Sequence, residues 1–273
     1  MKHISKNILL LLIACMVVMS AAAKDSRKKK PDSYTAGNSV IIEPDRLAHK
    51  SKAERTVAPQ KREPIAQPKG YGKINNKFRE GIDVSHYQYD IDWARLAREE
   101  NISYAYIKAS EGESRTDESY RRTLEGAKKA GISVGSYHFY RPNVSWNVQF
   151  ENMKAMVKAG EQDLVPLIDI EKFSGTESAF IENLTRFIEA VTKHYGKKPL
   201  LYTYQNFYNK HFIGLFKNYH WMIACYGNVE PVLKDGRTYI MWQYSASGRV
   251  SGIKGDVDRS RIMGNYSLKE LQM

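Results

Sequence analysis

From Gly81 onward, short apolar runs with strand character alternate with longer stretches whose apolar residues recur every three or four positions. Strand-like runs at 82–84, 104–108, 132–140, 164–170 and 199–204 are each followed by a helical pattern, at 93–100, 119–130, 145–159, 178–195 and 207–212. Strict alternation of this kind predicts a parallel sheet with crossover helices. Three further runs, at 221–226, 239–244 and 255–258, have almost no helical pattern between them. Eight strands suffice to close a barrel, and about 190 residues is slightly short for a full set of eight helices. The expected fold class is therefore α/β, an incomplete TIM-like barrel of about five βα units followed by three strands. No internal repeat supports a solenoid.

The pattern before residue 80 is different. Lys2 and Lys6 precede an almost wholly apolar stretch at 8–19, and small residues at 20–23 end in an Ala-x-Ala site. This is the layout of a secretory signal peptide over residues 1–23. The apolar run is shorter than the roughly 20 residues a spanning helix needs, which disfavours a permanent anchor. Leu12-Ile13-Ala14-Cys15 also resembles a lipobox, so a lipoprotein attached through Cys15 stands as the alternative. Either route implies export from a bacterial cell, to the periplasm or beyond. Residues 24–78 carry a basic cluster, Arg27 to Lys30, and prolines at 44, 59, 64 and 68, with few large apolar residues. Such a segment buries too little to offset its ordering entropy and is expected to be a disordered tether. The catalytic barrel is expected over 79–273.

Charge sharpens this division. The chain carries 42 Lys and Arg against 30 Asp and Glu, a net charge of +12 that by itself suggests a polyanionic partner. Residues 1–80 contribute 17 basic and 7 acidic groups, whereas residues 81–273 contribute 25 and 23. The folded part is nearly neutral, so a nucleic-acid partner is not expected; the basic tether fits attachment to anionic envelope polymers. With Cys15 in the leader, Cys225 has no intramolecular partner, and it is expected to be a buried structural thiol.

In a parallel barrel, reactive groups gather at the carboxyl ends of strands. The run Val165-Pro166-Leu167-Ile168-Asp169-Ile170-Glu171 ends in two carboxylates at i and i+2, a spacing that points both to one face roughly 6 to 7 Å apart. Placing two acids together raises at least one pKa, as a general acid at neutral pH requires. Asp83 ends the first strand run and Asp258 the last, and first and last strands are neighbours in a closed barrel. Aromatic residues stand at the same ends, among them Tyr137, Tyr202 and Trp242, and with Gln243 they suit sugar rings and their polar substituents. The seven histidines lack zinc-type spacing, and neither a Gly-x-Ser-x-Gly elbow nor a phosphate-binding glycine loop occurs, so no metal and no cofactor are expected. His138 is expected to pack rather than ligate.

Taken in order, Gly81-Ile82-Asp83-Val84-Ser85-His86-Tyr87-Gln88 with Ile91-Asp92-Trp93, Ile107-Lys108-Ala109-Ser110-Glu111-Gly112, Gly135-Ser136-Tyr137-His138-Phe139, Asp169-Ile170-Glu171, Trp242-Gln243-Tyr244-Ser245 and Val257-Asp258 resemble glycoside hydrolase family 25 over essentially all of residues 81–273. The resemblance implies an N-acetylmuramidase, a lysozyme cutting the β-1,4 bond between N-acetylmuramic acid and N-acetylglucosamine in peptidoglycan glycan strands. It implies Glu171 as general acid, Asp169 as the group orienting the substrate's acetamido group, and Asp83 as a tuning carboxylate. Asp258, Tyr137, Tyr202, Trp242 and Gln243 would bind the sugar. Ser260 stands where the family often has Asn, and the basic tether lies outside the family pattern. A chitinase-like hexosaminidase and a non-catalytic cell-wall glycan-binding protein are the competing expectations, and a monomer is expected.

Overall fold

The computed structural model describes residues 74–273, so the expected leader and nearly all of the expected tether lie outside the described residues. The elements in chain order are β1 (Glu80–Val84), α1 (Trp93–Glu99), β2 (Ile102–Glu111), β3 (Arg115–Thr116), α2 (Tyr120–Lys129), β4 (Ser133–Phe139), α3 (Trp146–Met156), β5 (Leu167–Asp169), α4 (Glu177–Tyr195), β6 (Leu200–Tyr204), α5 (Gln205–His211), β7 (Trp221–Ala224), β8 (Met241–Gly248) and β9 (Val257–Ile262). The sheet runs β1-β9-β8-β7-β6-β5-β4-β2 and closes through a β1–β2 pairing, with the two-residue β3 as a flap on β2. The incomplete barrel of five βα units and three further strands is thus observed.

Seven of the eight barrel strands run parallel, but β9 is antiparallel to both of its neighbours, β8 and β1. This corrects one expectation about the site. Asp258 does not end its strand; it is the second residue of β9, which extends to Ile262. Because β9 runs the other way, its amino end is the one that reaches the barrel mouth.

Alternation along the strands sorts the core into two layers. Tyr104, Tyr106, Leu167, Leu200, Met222, Met241 and Ile262 fill the barrel interior. Ile82, Ile107, Val134, Ile168, Leu201 and Ile223 point outward, against helix residues such as Leu96, Leu124, Leu184 and Phe187. Helix α4 presents Phe180, Leu184, Phe187, Ile188, Val191 and Tyr195 as one buried stripe at three- and four-residue spacing. The Thr176 side chain accepts from Ala179 N at its start, and Gly196 ends it in the left-handed region at φ 67°.

Two glycines make room for the interior tyrosines. A Cβ at Gly81 would stand 2.1 Å from the Tyr104 ring, and one at Gly135 would stand 2.3 Å from the Tyr106 ring. Tyr104 donates to the Ser260 hydroxyl at 3.1 Å, so Ser260 packs within the barrel.

Residues 74–78, expected to belong to the tether, are tied to the barrel instead. Asn75 N donates to Ser133 Oγ at 2.8 Å, Phe78 N donates to Ser103 Oγ at 2.7 Å, and Ile74 packs against the interior cluster. The boundary expected at 78/79 therefore falls inside an ordered strap.

Candidate active site

The closed sheet brings residues from seven strands to one cleft of about 310 Å³ at its mouth. Asp83, Tyr137, Asp169, Glu171, Tyr202, Gln243 and Asp258 all line it. Trp242 does not. Adjacent strand residues point to opposite faces, and Gln243 takes the interior. Trp242 is consequently packed on the outer side of β8, where its Nε1 donates to Cys225 O at 2.8 Å and the Arg261 guanidinium lies 5.5 Å from its ring centroid. Cys225 is half-buried rather than buried, because it falls just beyond β7. His138 packs as expected, between the Ser110 hydroxyl at 2.8 Å and the Phe187 ring.

Strand β5 ends at Asp169, yet the chain stays extended. Ile170 N donates to Tyr202 O at 3.0 Å, and the Thr203 hydroxyl donates to Ile170 O at 2.6 Å. Ile170 therefore faces the helices while Asp169 and Glu171 share the cleft side. The i, i+2 expectation holds although the strand is only three residues long.

Gln243 organises the opposite wall. Its Nε2 donates to Asp83 Oδ2 at 2.8 Å, and its Oε1 accepts from Tyr202 at 2.9 Å and from Tyr226 at 3.2 Å. The Tyr204 and Tyr202 hydroxyls lie near Glu171 and oppose its upward shift. One oxygen of Asp83 and one of Asp169 are buried without a partner among the described residues.

Burial sets the protonation of these acids. It pushes Asp83 up to about 8, helped by neighbouring Asp258 and opposed by the Gln243 hydrogen bond. Asp258 rises to about 6 through burial and the proximity of Glu171. Asp169 lies well above the ordinary carboxylate range through burial and Glu171, and Glu171 is raised by burial against the opposing influence of those hydroxyls. Asp169 and Glu171 titrate as a pair, and their repulsion opposes loss of both protons near neutrality. Each group's charge raises the other, so the pair holds a proton more tightly than an isolated carboxyl would.

Two further residues join the expected ones at the site: Lys108, and Tyr204, one of the aromatic residues at the strand ends. Lys108 lines the cleft, and Tyr204 lies near Glu171. The available signal for Lys108 was a lone cation within the otherwise uncharged run from Ile102 to Ser110. Among the described residues, no group of three or more His, Cys, Asp or Glu is placed to hold a metal ion.

An acid-walled cleft with a proton-sharing carboxyl pair and aromatic flanks, set at the mouth of a barrel, defines a glycosidase class of site. A family model described as glycosyl hydrolases family 25 matches residues 82–253. The chain is 34% identical to YegX of Escherichia coli K12 over 199 residues, which is 70% of this chain and 71% of that one. It is 30% identical over 209 residues to lysozyme M1 of Streptomyces globisporus, covering 71% of each. The solved structure of a family 25 glycosyl hydrolase from Bacillus anthracis superposes with a TM-score of 0.64 at 31% identity, covering 71% of this chain and 92% of that one. The chain belongs to glycoside hydrolase family 25 and is a glycoside hydrolase.

Proposed function

We propose that this enzyme is a muramidase acting on peptidoglycan, cleaving the β-1,4 bond between N-acetylmuramic acid and N-acetylglucosamine. Relatives named as lysozymes and an N,O-diacetylmuramidase support the substrate class. The observation that carries the mechanism is the placement of Asp169 and Glu171 on one side of one extended segment.

Two carboxyl groups so placed cannot flank a sugar ring from opposite faces, which favours participation by the substrate's own acetamido group. Glu171 donates its proton to the glycosidic oxygen as the bond to the anomeric carbon breaks. The acetamido oxygen attacks that carbon, and ionised Asp169 accepts the acetamido N–H and stabilises the cationic ring that forms. Water then opens this ring, giving its proton to Glu171, with net retention. Asp83, protonated near neutrality, and Gln243 hold the sugar's polar groups, and Tyr137 supplies an apolar wall.

Digestion of defined peptidoglycan by wild type and Glu171→Gln tests the assignment. Mass spectrometry should find muramic acid at new reducing ends from wild type and none from the variant; glucosamine ends would indicate a hexosaminidase instead. Binding without release of reducing ends would indicate a glycan-binding protein.

The Lys2/Lys6 leader pattern and the basic residues of 24–73 support export followed by electrostatic retention on anionic envelope polymers. Deleting 24–73 should weaken wall binding and flatten its salt dependence. An unchanged salt dependence would remove the tether from the proposal.

A further inference from the structure

Among the described residues lining the cleft, Lys108 is the single basic one. Its side chain is 15% exposed, and its Nζ donates to Glu111 Oε2 at 2.7 Å and lies 5.3 Å from the Phe139 ring centroid. The other Glu111 oxygen accepts from Arg141 Nε at 3.0 Å and from Arg115 at 3.3 Å, and the Arg141 guanidinium lies 4.7 Å from the same Phe139 ring. Burial would push Glu111 up, but the ionic hydrogen bonds from Lys108 and Arg141 outweigh it and bring it down to about 2. Glu111 is therefore a permanent anion with both oxygens engaged, and Lys108 is held rather than wandering. An ammonium has three donors, of which Glu111 takes one.

Strand register puts this cation beside the acid pair. Lys108 pairs with Tyr137, and Tyr137 with Leu167, so Lys108 stands two strands from β5 and one interior row below Asp169. Two strand spacings are about 10 Å, a range over which charges interact in a poorly solvated cleft. Its charge opposes the upward shift of both Asp169 and Glu171. The other titratable groups facing the pair are Asp83 from β1, Asp258 from β9, Tyr137 from β4, and Tyr202 and Tyr204 from β6. Tyr226 and Lys172 act on Glu171 from the loops above β7 and β5.

We propose that Lys108 is a positioning residue for hydrolysis: clamped by Glu111, which Arg141 holds in turn, it supplies the positive charge that favours negative charge on the Asp169–Glu171 pair. The proposal rests on the reading of that pair as catalytic. Without the cation, a negative charge on the pair would face Asp258 in a largely desolvated cleft. Packing explains little of the arrangement, because a buried methionine would fill the same space without requiring an ionic clamp.

The test is the pH dependence of kcat/KM on soluble glycan strands, whose acid limb reports the first ionisation of the free enzyme. Lys108→Met should move that limb up by about one pH unit, and Lys108→Arg should leave it near the wild-type position. Glu111→Gln removes a negative charge beside the ammonium and should move the limb down, a reversal of sign that a packing defect does not produce. A limb that stays in place, or that moves the same way in Lys108→Met and Glu111→Gln, overturns the proposal; if one of these variants does not fold, the other decides. Retained activity in Glu171→Gln would instead overturn the catalytic reading beneath it.

Discussion

Asp83 and Asp258 are direct partners across the antiparallel β1–β9 pair, so two carboxylates rise from adjacent backbones into the same cleft. Burial raises both, and the neighbouring charge is Asp258 for Asp83 but Glu171 for Asp258. With Asp83 at about 8 and Asp258 at about 6, the first keeps its proton at pH 7 and the second has largely lost it. Two chemically identical side chains thus present a donor and an anion to the cleft, their environments pushing their pKa values apart.

Stability should carry the signature of Asp83. An unfolded aspartate loses its proton near pH 4, while the folded one holds it to about 8. Between these values the native state binds more protons than the unfolded chain, so this contribution is fully present below pH 4 and is lost as pH rises through about 8. Asp83→Asn keeps an acceptor for Gln243 and never ionises. It should melt about 5 to 10 °C above wild type at pH 8.5, with the gap closing toward pH 4. A constant gap across a thermal-melt series in pH would contradict the assignment.

In the proposed mechanism, Asp169→Asn removes the carboxylate that stabilises the acetamido group but keeps the size of the side chain. A fall in kcat of about 10²- to 10³-fold with little change in KM is expected, because the interaction matures only in the transition state. Steady-state rates on soluble glycan strands measure it.

Trp242→Phe separates the outer face of β8 from the cleft. The substitution loses the hydrogen bond to Cys225 O and part of the contact with Arg261. Stability should fall by about 1 to 2 kcal/mol in urea unfolding, while kcat/KM stays within about twofold of wild type. Gln243→Ala should do the reverse and reduce catalysis strongly, since Gln243 holds Asp83, Tyr202 and Tyr226 together.

Gly81→Ala forces a methyl group to within 2.1 Å of the Tyr104 ring. Overpacking of this kind costs about 1 to 3 kcal/mol and should lower the melting temperature. Combining it with Tyr104→Leu should recover part of the loss. Simple additivity of the two changes would show that the ring is not what Gly81 accommodates.

Much of the fold was legible because periodicity is a local property. The α4 stripe from Phe180 to Tyr195 and the apolar run before Asp169 follow from the geometry of a helix and of a strand taken alone. The i, i+2 pair at Asp169 and Glu171 is equally local, and the cleft receives both. Residues 74–78 read as tether because they continue a basic, proline-containing segment that is low in large apolar residues as a whole. Their order comes from hydrogen bonds to Ser103 and Ser133, partners that composition does not reveal.

By itself, then, the chain's pattern determined the eight barrel strands, their helices and the two acids at and just beyond the end of β5, all of which depend on residues within a few positions of one another. Only the tertiary structure decided the direction of β9, and with it the route by which Asp258 reaches the mouth. It also decided that Gln243 and not Trp242 lines the cleft, and that Lys108 lines it in the grip of Glu111. Strand direction, facing and ion pairing across the sheet are set by which distant segments close the barrel. A spacing along the chain holds no record of that closure.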